Sequence, residues 1–281
     1  MSKGSIWITG ADGKLGSVLK STLKNNVDYR LIPTDEDVDV TNLEDVQAHA
    51  DLYRPNIIIN CAALSDAHYC EENKAKAYAV NAIGARNLAI ASRKINAKII
   101  HISTDDVFTG TSDHVWNEFD QPSPTTVYGK SKLAGEQFVR ELNPKHLIIR
   151  SSWVYGKGHN NFFSYVVDLA KKGEVFEMPI DEISSPTNSK TLSKFIVSML
   201  DSSEYGIYHA SCEGTCSRFE FAQEILDVMG YDKNLVKPSK GDGSSTVLDN
   251  LMMEIMGSYT MPHWKDDMND YVERMKAKGV F

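Results

Sequence analysis

The chain has 281 residues, 42% hydrophobic and 24% charged, which excludes a disordered or fibrous polymer and suits about two domains of globular core. Its 30 Lys and Arg stand against 38 Asp and Glu, a net charge of −8. An acidic chain lacks the basic face that a phosphate backbone needs, so nucleic acid is not an expected partner. In chain order, Ser5-Ile6-Trp7-Ile8-Thr9 reads as a strand ending at Gly10. Leu15, Val18, Leu19 and Leu23 then recur at helical spacing. Residues 29–32 read as a strand, 43–52 as a helix, and the continuous apolar run 57–59 as a strand buried on both faces. The spacing predicts one long Ala-rich helix over 71–93, a strand at 98–102, a helix over 126–141 and a strand at 147–149. Five strands alternating with helices predict a parallel, doubly wound α/β sheet. Beyond residue 150 the pattern loosens. Helices are expected at 162–171, 192–200 and 219–229, and short strands at 175–178 and 206–209. Residues 237–246, rich in Ser, Gly and Lys, read as a loop.

No apolar run approaches the ~18 residues of a membrane span. The start, Met1-Ser2-Lys3-Gly4, leads into the first strand without a signal-peptide apolar region. Four cysteines, Cys61, Cys70, Cys212 and Cys216, are too few for a disulfide framework. A reduced, cytoplasmic protein with no membrane partner is expected. Cys212 and Cys216 have no second ligand pair nearby, so no metal is expected.

Gly10-Ala11-Asp12-Gly13-Lys14-Leu15-Gly16 joins the first strand to the first helix. Glycines there let the backbone approach a pyrophosphate, and the helix N-terminus offers free N–H groups. That context points to dinucleotide binding. Asp35 follows the second strand, where a carboxylate accepts from a ribose 2′-hydroxyl and repels a 2′-phosphate. It favours NADH over NADPH without excluding the latter. Cys61, Ala62 and Ala63 leave room for a cofactor across the carboxyl edge of the sheet. Ser103-Thr104 ends the fourth strand. Tyr128 and Lys132 share one face of the following helix. An ammonium beside the phenol is expected to lower the Tyr128 pKa towards neutrality, making a proton donor for a carbonyl under reduction.

Together these pieces resemble the extended short-chain dehydrogenase/reductases and, within them, the dTDP-4-dehydrorhamnose reductase family. Further matching segments are Asp39-Val40-Thr41, Val80 to Ala85, Ile102-Ser103-Thr104-Asp105, Val127 to Glu136, Arg150 to Gly156, Ser185-Pro186-Thr187 and Leu248-Asp249-Asn250. The resemblance implies a Rossmann-type sheet over 1–153, to which the chain returns within 185–209, and a smaller α+β substrate-binding domain, mainly 154–281. It implies hydride transfer from NADH or NADPH to the 4-keto carbon of a dTDP-linked 6-deoxy sugar, giving dTDP-L-rhamnose. Tyr128 would be the proton donor, Lys132 would hold the nicotinamide ribose, and Thr104 would hydrogen-bond near the carbonyl. Gly10, Gly13, Lys14, Leu15, Gly16, Asp35, Asp39, Val40, Cys61, Ala62, Ala63, Tyr128 and Lys132 would bind the cofactor. Thr104, Asp106 and Trp153 would meet the nucleotide-sugar substrate. Such reductases often form homodimers through helices, which no motif here requires.

Three segments depart from the family. Asp106 stands where a tyrosine is usual, Asp66 to Glu71 (including His68) replaces the usual run after the third strand, and Asp242-Gly243 replaces an Arg-Pro pair suited to a phosphate. Lys237 and Lys240 are the remaining candidates for that charge. Reduction of a different carbonyl substrate, a dehydratase or epimerase, and a non-catalytic regulatory subunit of the same fold (methionine adenosyltransferase regulatory subunits resemble this family) are the alternative readings.

Overall fold

The computed structural model describes residues 3–24, 28–157, 161–257 and 259–279; Met1 and Ser2 lie outside the described residues. The first half alternates as expected: β1 (Gly4–Thr9), α1 (Lys14–Leu23), β2 (Tyr29–Pro33), α2 (Leu43–Tyr53) and β3 (Ile57–Asn60). The single helix expected over 71–93 is instead three pieces: α3 (Ala67–Glu72), α4 (Lys74–Tyr78) and, after a widened turn at Ala79–Gly84, α5 (Ala85–Lys94). Asn73 leaves helical geometry at φ −123° and ψ 53°. Asn81 in the widened turn reaches out of the helix. Its Oδ1 accepts from Leu64 N–H at 2.8 Å, and its Nδ2 donates to the Leu64 carbonyl at 3.0 Å and to Ser131 Oγ at 2.9 Å. Periodicity does not see the anchor, because its partners lie 17 and 50 positions away along the chain.

The chain continues through β4 (Lys98–Thr104), β5 (Thr111–Trp116), α6 (Val127–Leu142) and β6 (His146–Ser151). Successive strand residues face opposite sides. Ile6, Ile8, Ile57, Ile59, Ile100, Leu147 and Ile149 share one core with Leu15, Leu19 and Leu23. Trp7, Ile58, Ile99 and Ile148 share another with Val46, Ala50, Leu88 and Val139. Cover on both faces explains why these runs are continuous rather than alternating.

The second half runs through β7 (Val154–Tyr155), α7 (Phe162–Lys172), β8 (Phe176–Pro179), β9 (Ile183–Ser184), β10 (Thr187–Asn188), α8 (Ser189–Ser198) and β11 (Gly206–His209). Strand β11 lies parallel to β6, completing a six-stranded sheet of order β11-β6-β4-β3-β1-β2. Buried Lys98 donates to the carbonyls of Met199 (3.1 Å), Leu200 (2.8 Å) and Ser202 just past the C-terminus of α8, where the helix dipole favours a cation.

The remaining elements are β12 (Cys216–Ser217), α9 (Arg218–Met229), β13 (Val236–Ser239), β14 (Ser245–Leu248), α10 (Leu251–Met256) and α11 (Trp264–Lys276). The loop expected over 237–246 is therefore corrected at both ends. Strand β13 pairs with β8, and β14 inserts between β9 and β5. Both are polar strands held by pairing with distant segments, so their own composition reads as loop. Among the described residues, no helix is long and apolar enough to cross a membrane.

Candidate active site

The glycine turn forms where β1 meets α1. Gly10 adopts φ +62°, and a Cβ there would lie 2.7 Å from the Ala62 nitrogen. A Cβ on Gly16 would lie 2.1 Å from the Gly10 carbonyl oxygen. Helix α1 starts after Gly13 without a side-chain cap, so its first-turn N–H groups are available to an anion. This cradle fits a pyrophosphate. Leu15 is buried in the core and has only its backbone to offer a ligand. Burial lowers the Lys14 pKa.

Asp35 stands beside this turn. Burial and the Asp12 charge raise its pKa, offset in part by a hydrogen bond from the Asp12 backbone. Asp39 accepts from Thr41 N–H at 2.8 Å and Thr41 Oγ1 at 2.7 Å, shaping the turn before α2. Val40 packs its side chain where a Cβ on Gly84 would fall. Below Cys61-Ala62-Ala63, Asn60 Oδ1 accepts from Thr9 Oγ1 and from Ala62 N–H, while Asn60 Nδ2 lies 3.0 Å from His101 Nδ1. This buried network holds the ends of three strands in register.

Helix α6 carries the next group. Thr126 caps it by accepting from Gly129 N–H at 3.0 Å, and Glu71 Oε1 accepts from Val127 N–H at 2.7 Å. A carboxylate at a helix N-terminus is stabilising. Tyr128 lies half-buried in that first turn, and Lys132 is buried one turn on. Lys132 Nζ donates to the Ile102 carbonyl at 2.6 Å. Burial brings its pKa down to about 8, against the pull of Glu136. Lys132 also acts electrostatically on Cys61 and His101, so α6 and the glycine-turn side of the sheet edge meet here.

The expected lowering of the Tyr128 pKa is not what the structure gives. Burial raises it, the Asp106 and Asp105 charges add to the rise, and a hydrogen bond with Thr104 offsets only part. Desolvation and two carboxyls outweigh an ammonium whose proton is directed at Ile102. The phenol is thereby kept protonated, the form a proton donor needs.

Thr104 Oγ1 lies 3.0 Å from Asp106 Oδ2 and 3.2 Å from Asp105 Oδ1. Asp105 is buried and also accepts from Thr246 Oγ1 at 2.6 Å and Ser184 Oγ at 3.3 Å. It ties the end of β4 to β14 and β9. Burial and the neighbouring Asp106 raise the Asp105 pKa to about 7. Asp106 is solvent-exposed, yet it sits in a cleft whose walls raise its pKa too.

Trp153 adopts φ +40°, a strained geometry for a bulky side chain. The Arg218 guanidinium lies 3.4 Å from its ring centroid and 4.9 Å from that of Phe162. Arg218 feels both Asp105 and Asp106, and Glu182 is 3.9 Å away. It thus joins Trp153 to the Thr104 cluster. Sequence reasoning missed Arg218, and one signal was available. Arg218 is the first residue of α9, where Ser217 and Glu220 form a capping box and the dipole disfavours a cation. Asp105, Ser184, Thr246 and Glu71 were missed as well. Lys237 and Lys240 are exposed, and Asp242 Oδ1 accepts from Ser244 N–H at 2.9 Å in a local turn. Among the described residues, no group of three or more His, Cys, Asp or Glu could hold a metal ion.

The family model described as the RmlD substrate binding domain matches residues 4–277. A dTDP-4-dehydrorhamnose reductase of Aggregatibacter actinomycetemcomitans is 37% identical over 78% of this chain and 77% of its own. The chain belongs to the dTDP-4-dehydrorhamnose reductase family. The spore coat polysaccharide biosynthesis protein SpsK of Bacillus subtilis is 34% identical, covering 97% of this chain and 98% of its own. The family's fold is equally close. The crystal structure of the Bacillus anthracis dTDP-4-dehydrorhamnose reductase in complex with NADP superposes with a TM-score of 0.93 at 39% identity, covering 96% of this chain and 99% of that one.

Proposed function

We propose that the chain is an NAD(P)H-dependent oxidoreductase that reduces the 4-keto group of dTDP-4-dehydro-L-rhamnose to give dTDP-L-rhamnose, with Tyr128 as proton donor. The observation that carries this reading is the packing of α6, which bears Tyr128 and Lys132, against the end of β4, which bears Thr104: Lys132 Nζ donates to the Ile102 carbonyl at 2.6 Å, and a Cβ on Gly129 would fall on the Asp106 carbonyl oxygen, all at the sheet edge that also carries the glycine cradle. NADH or NADPH supplies the hydride when bound. Gly10, Gly13 and Gly16 let the backbone of the turn approach the pyrophosphate, and Asp35 meets the adenosine ribose. Thr104 orients the carbonyl oxygen, and Tyr128 gives it a proton as charge develops. Lys132 holds the nicotinamide ribose. Trp153 covers the sugar, and residues after 153 supply most of the substrate side.

The direct test is oxidation of reduced cofactor by the purified protein with dTDP-4-dehydro-L-rhamnose. Turnover at ordinary efficiency is expected; none, with cofactor binding intact, rejects the reading. A second reading, reduction of a different nucleotide-linked carbonyl compound, is favoured by the charges of Asp106 and Arg218 at the mouth of the cleft. It predicts a higher kcat/KM for another keto sugar in the same assay.

Two variants probe the cofactor side. Gly16→Ala forces a methyl group onto the Gly10 carbonyl, and the affinity for reduced cofactor should fall more than about tenfold, or ~1.4 kcal/mol. Fluorescence titration reads this, and unchanged affinity would remove the turn from the binding site. Asp35→Ala removes a carboxylate from the ribose position and should move the NADPH-to-NADH ratio of kcat/KM upward by about tenfold. A ratio that stays put would place Asp35 away from the 2′ position.

A further inference from the structure

Arg218 and Glu182 face each other at the end of the β12–β9 ladder, where Arg218 N–H donates to the Glu182 carbonyl at 3.1 Å. Opposite residues of an antiparallel pair send their side chains to the same face. These side chains are only 25% and 27% exposed. Among the described residues, neither the guanidinium nor the carboxylate makes a hydrogen bond. Arg218 Nε and Glu182 Oε2 stand 3.9 Å apart, too far to bond each other. Both groups are nonetheless held in place. The guanidinium lies over the Trp153 ring at 3.4 Å and the Phe162 ring at 4.9 Å. Gly241 backs the carboxylate so closely that a Cβ there would lie 2.5 Å from Glu182 Oε1. Burial disfavours the charge of each. Two fixed, largely buried charges without hydrogen bonds are costly on their own, and a ligand that supplies those bonds removes the cost.

We propose that Arg218 and Glu182 form a clamp for one ring hydroxyl of the keto sugar, and that this clamp selects sugars carrying that hydroxyl. The inference rests on the reading of the cleft as a 4-keto sugar site. A hydroxyl oxygen fits about 2.8 Å from both atoms across the 3.9 Å gap. It accepts from the guanidinium N–H and donates its own proton to the carboxylate. Each charge then gains the charge-assisted hydrogen bond that it lacks in the empty cleft. The pair binds and discriminates; it takes no part in the hydride or proton transfer.

Position ties the clamp to the reacting end of the cleft. Two residues beyond Glu182, Ser184 Oγ lies 3.3 Å from Asp105 Oδ2, and Asp105 adjoins Thr104. At ~3.3 Å per strand residue the offset is about 7 Å, which a six-membered sugar ring with its hydroxyls spans. Trp153, the wall that the proposed function gives to the sugar, carries the guanidinium on its ring face. Charge favours a neutral hydroxyl over the diphosphate as the clamped group. Asp105, Asp106 and Glu182 all act on Arg218, and a diphosphate brought among three carboxyls would be repelled.

The experiment measures kcat/KM for dTDP-4-dehydro-L-rhamnose and for its 2-deoxy and 3-deoxy counterparts, with inhibition by dTDP alongside. Wild type is compared with Arg218→Met, which keeps the stem against the two rings, and with Glu182→Ala. Wild type should prefer the full sugar to one of the deoxy sugars by about a hundredfold or more, because that analogue leaves both charges unpaired. Each variant should bring this ratio within about tenfold, by lowering kcat/KM for the full sugar and sparing it for the deoxy sugar. Inhibition by dTDP should stay within a few-fold of wild type. A purely structural role lowers all three sugars alike and overturns the clamp. Weaker dTDP inhibition in Arg218→Met with an unchanged ratio places the guanidinium on the phosphates and also overturns it. So does an active wild type that takes both deoxy sugars as well as the full one. A wild type inert with every one of these sugars overturns the underlying reading and the clamp with it.

Discussion

Replacing Tyr128 with phenylalanine lowers kcat by about two to four orders of magnitude, the range of general acid catalysis, and leaves affinity for reduced cofactor within a few-fold. The expectation comes from the surroundings of the hydroxyl. Burial and the charges of Asp106 and Asp105 keep Tyr128 protonated well above its usual range, so the proton is in place whenever the carbonyl arrives. The phenol itself should impose no loss of activity until strongly alkaline pH, and any descending limb nearer neutrality belongs to the carboxyl pair. Phenylalanine preserves the ring packing at the start of α6 and removes only the hydroxyl with its proton. Pre-steady-state kinetics with a saturating keto sugar separates the chemical step from product release. Undiminished hydride transfer in this variant would take Tyr128 out of the mechanism.

The second large effect concerns stability. Arg150 and Glu136 form a two-pronged ion pair, Nε to Oε1 at 3.0 Å and Nη2 to Oε2 at 2.7 Å, with side chains only 2% and 3% exposed. Phe108 covers the guanidinium at 5.0 Å. His209 closes the site. Its Nδ1 lies 3.1 Å from the Trp116 carbonyl oxygen and 3.0 Å from that of Asp249, so this nitrogen carries the proton and Nε2 is left to accept from Arg150. Burial and the Arg150 charge push the His209 pKa down to about 3, so the ring stays neutral. Glu136→Ala strands the guanidinium without its partner, and the expected cost is about 3–5 kcal/mol. For a chain of this size that is a fall in Tm of about 10 °C. The double variant Glu136→Met with Arg150→Met should cost less than either single change, because no charge is left buried alone. A calorimetric scan checks both statements. An unchanged Tm in Glu136→Ala would mean that α6 is held to β6 by apolar packing alone. Because α6 also carries Tyr128 and Lys132, the ion pair fixes the helix on which the proposed chemistry depends.

Much of this was legible in the one-dimensional chain. The runs 5–9, 57–59 and 147–149 each carry three consecutive apolar residues, short and rich in β-branched side chains, which suits strands buried on both faces. The glycine turn and the Tyr128–Lys132 pair are local patterns, and the helix or strand that carries each can be read from its own residues. The parallel sheet of Rossmann type and the family itself follow from such local signals in their chain order.

Other features needed the folded chain. The widened turn at Ala79–Gly84 carries Asn81, whose partners lie 17 and 50 positions away. Strands β13 and β14 are polar and exist because β8, β9 and β5 pair with them. The direction of the Tyr128 pKa was misjudged from spacing, since one helical turn to Lys132 says nothing of the carboxyls arriving from β4 or of the Ile102 carbonyl that takes the ammonium. Arg218 reaches the site from a helix 65 residues beyond Trp153, counted along the numbering. Local order along the chain determined most elements of the first half and the candidate catalytic motif. The tertiary structure alone decided the charges around that motif, because burial and electrostatic neighbours depend on distance in space, which separation along the chain does not measure.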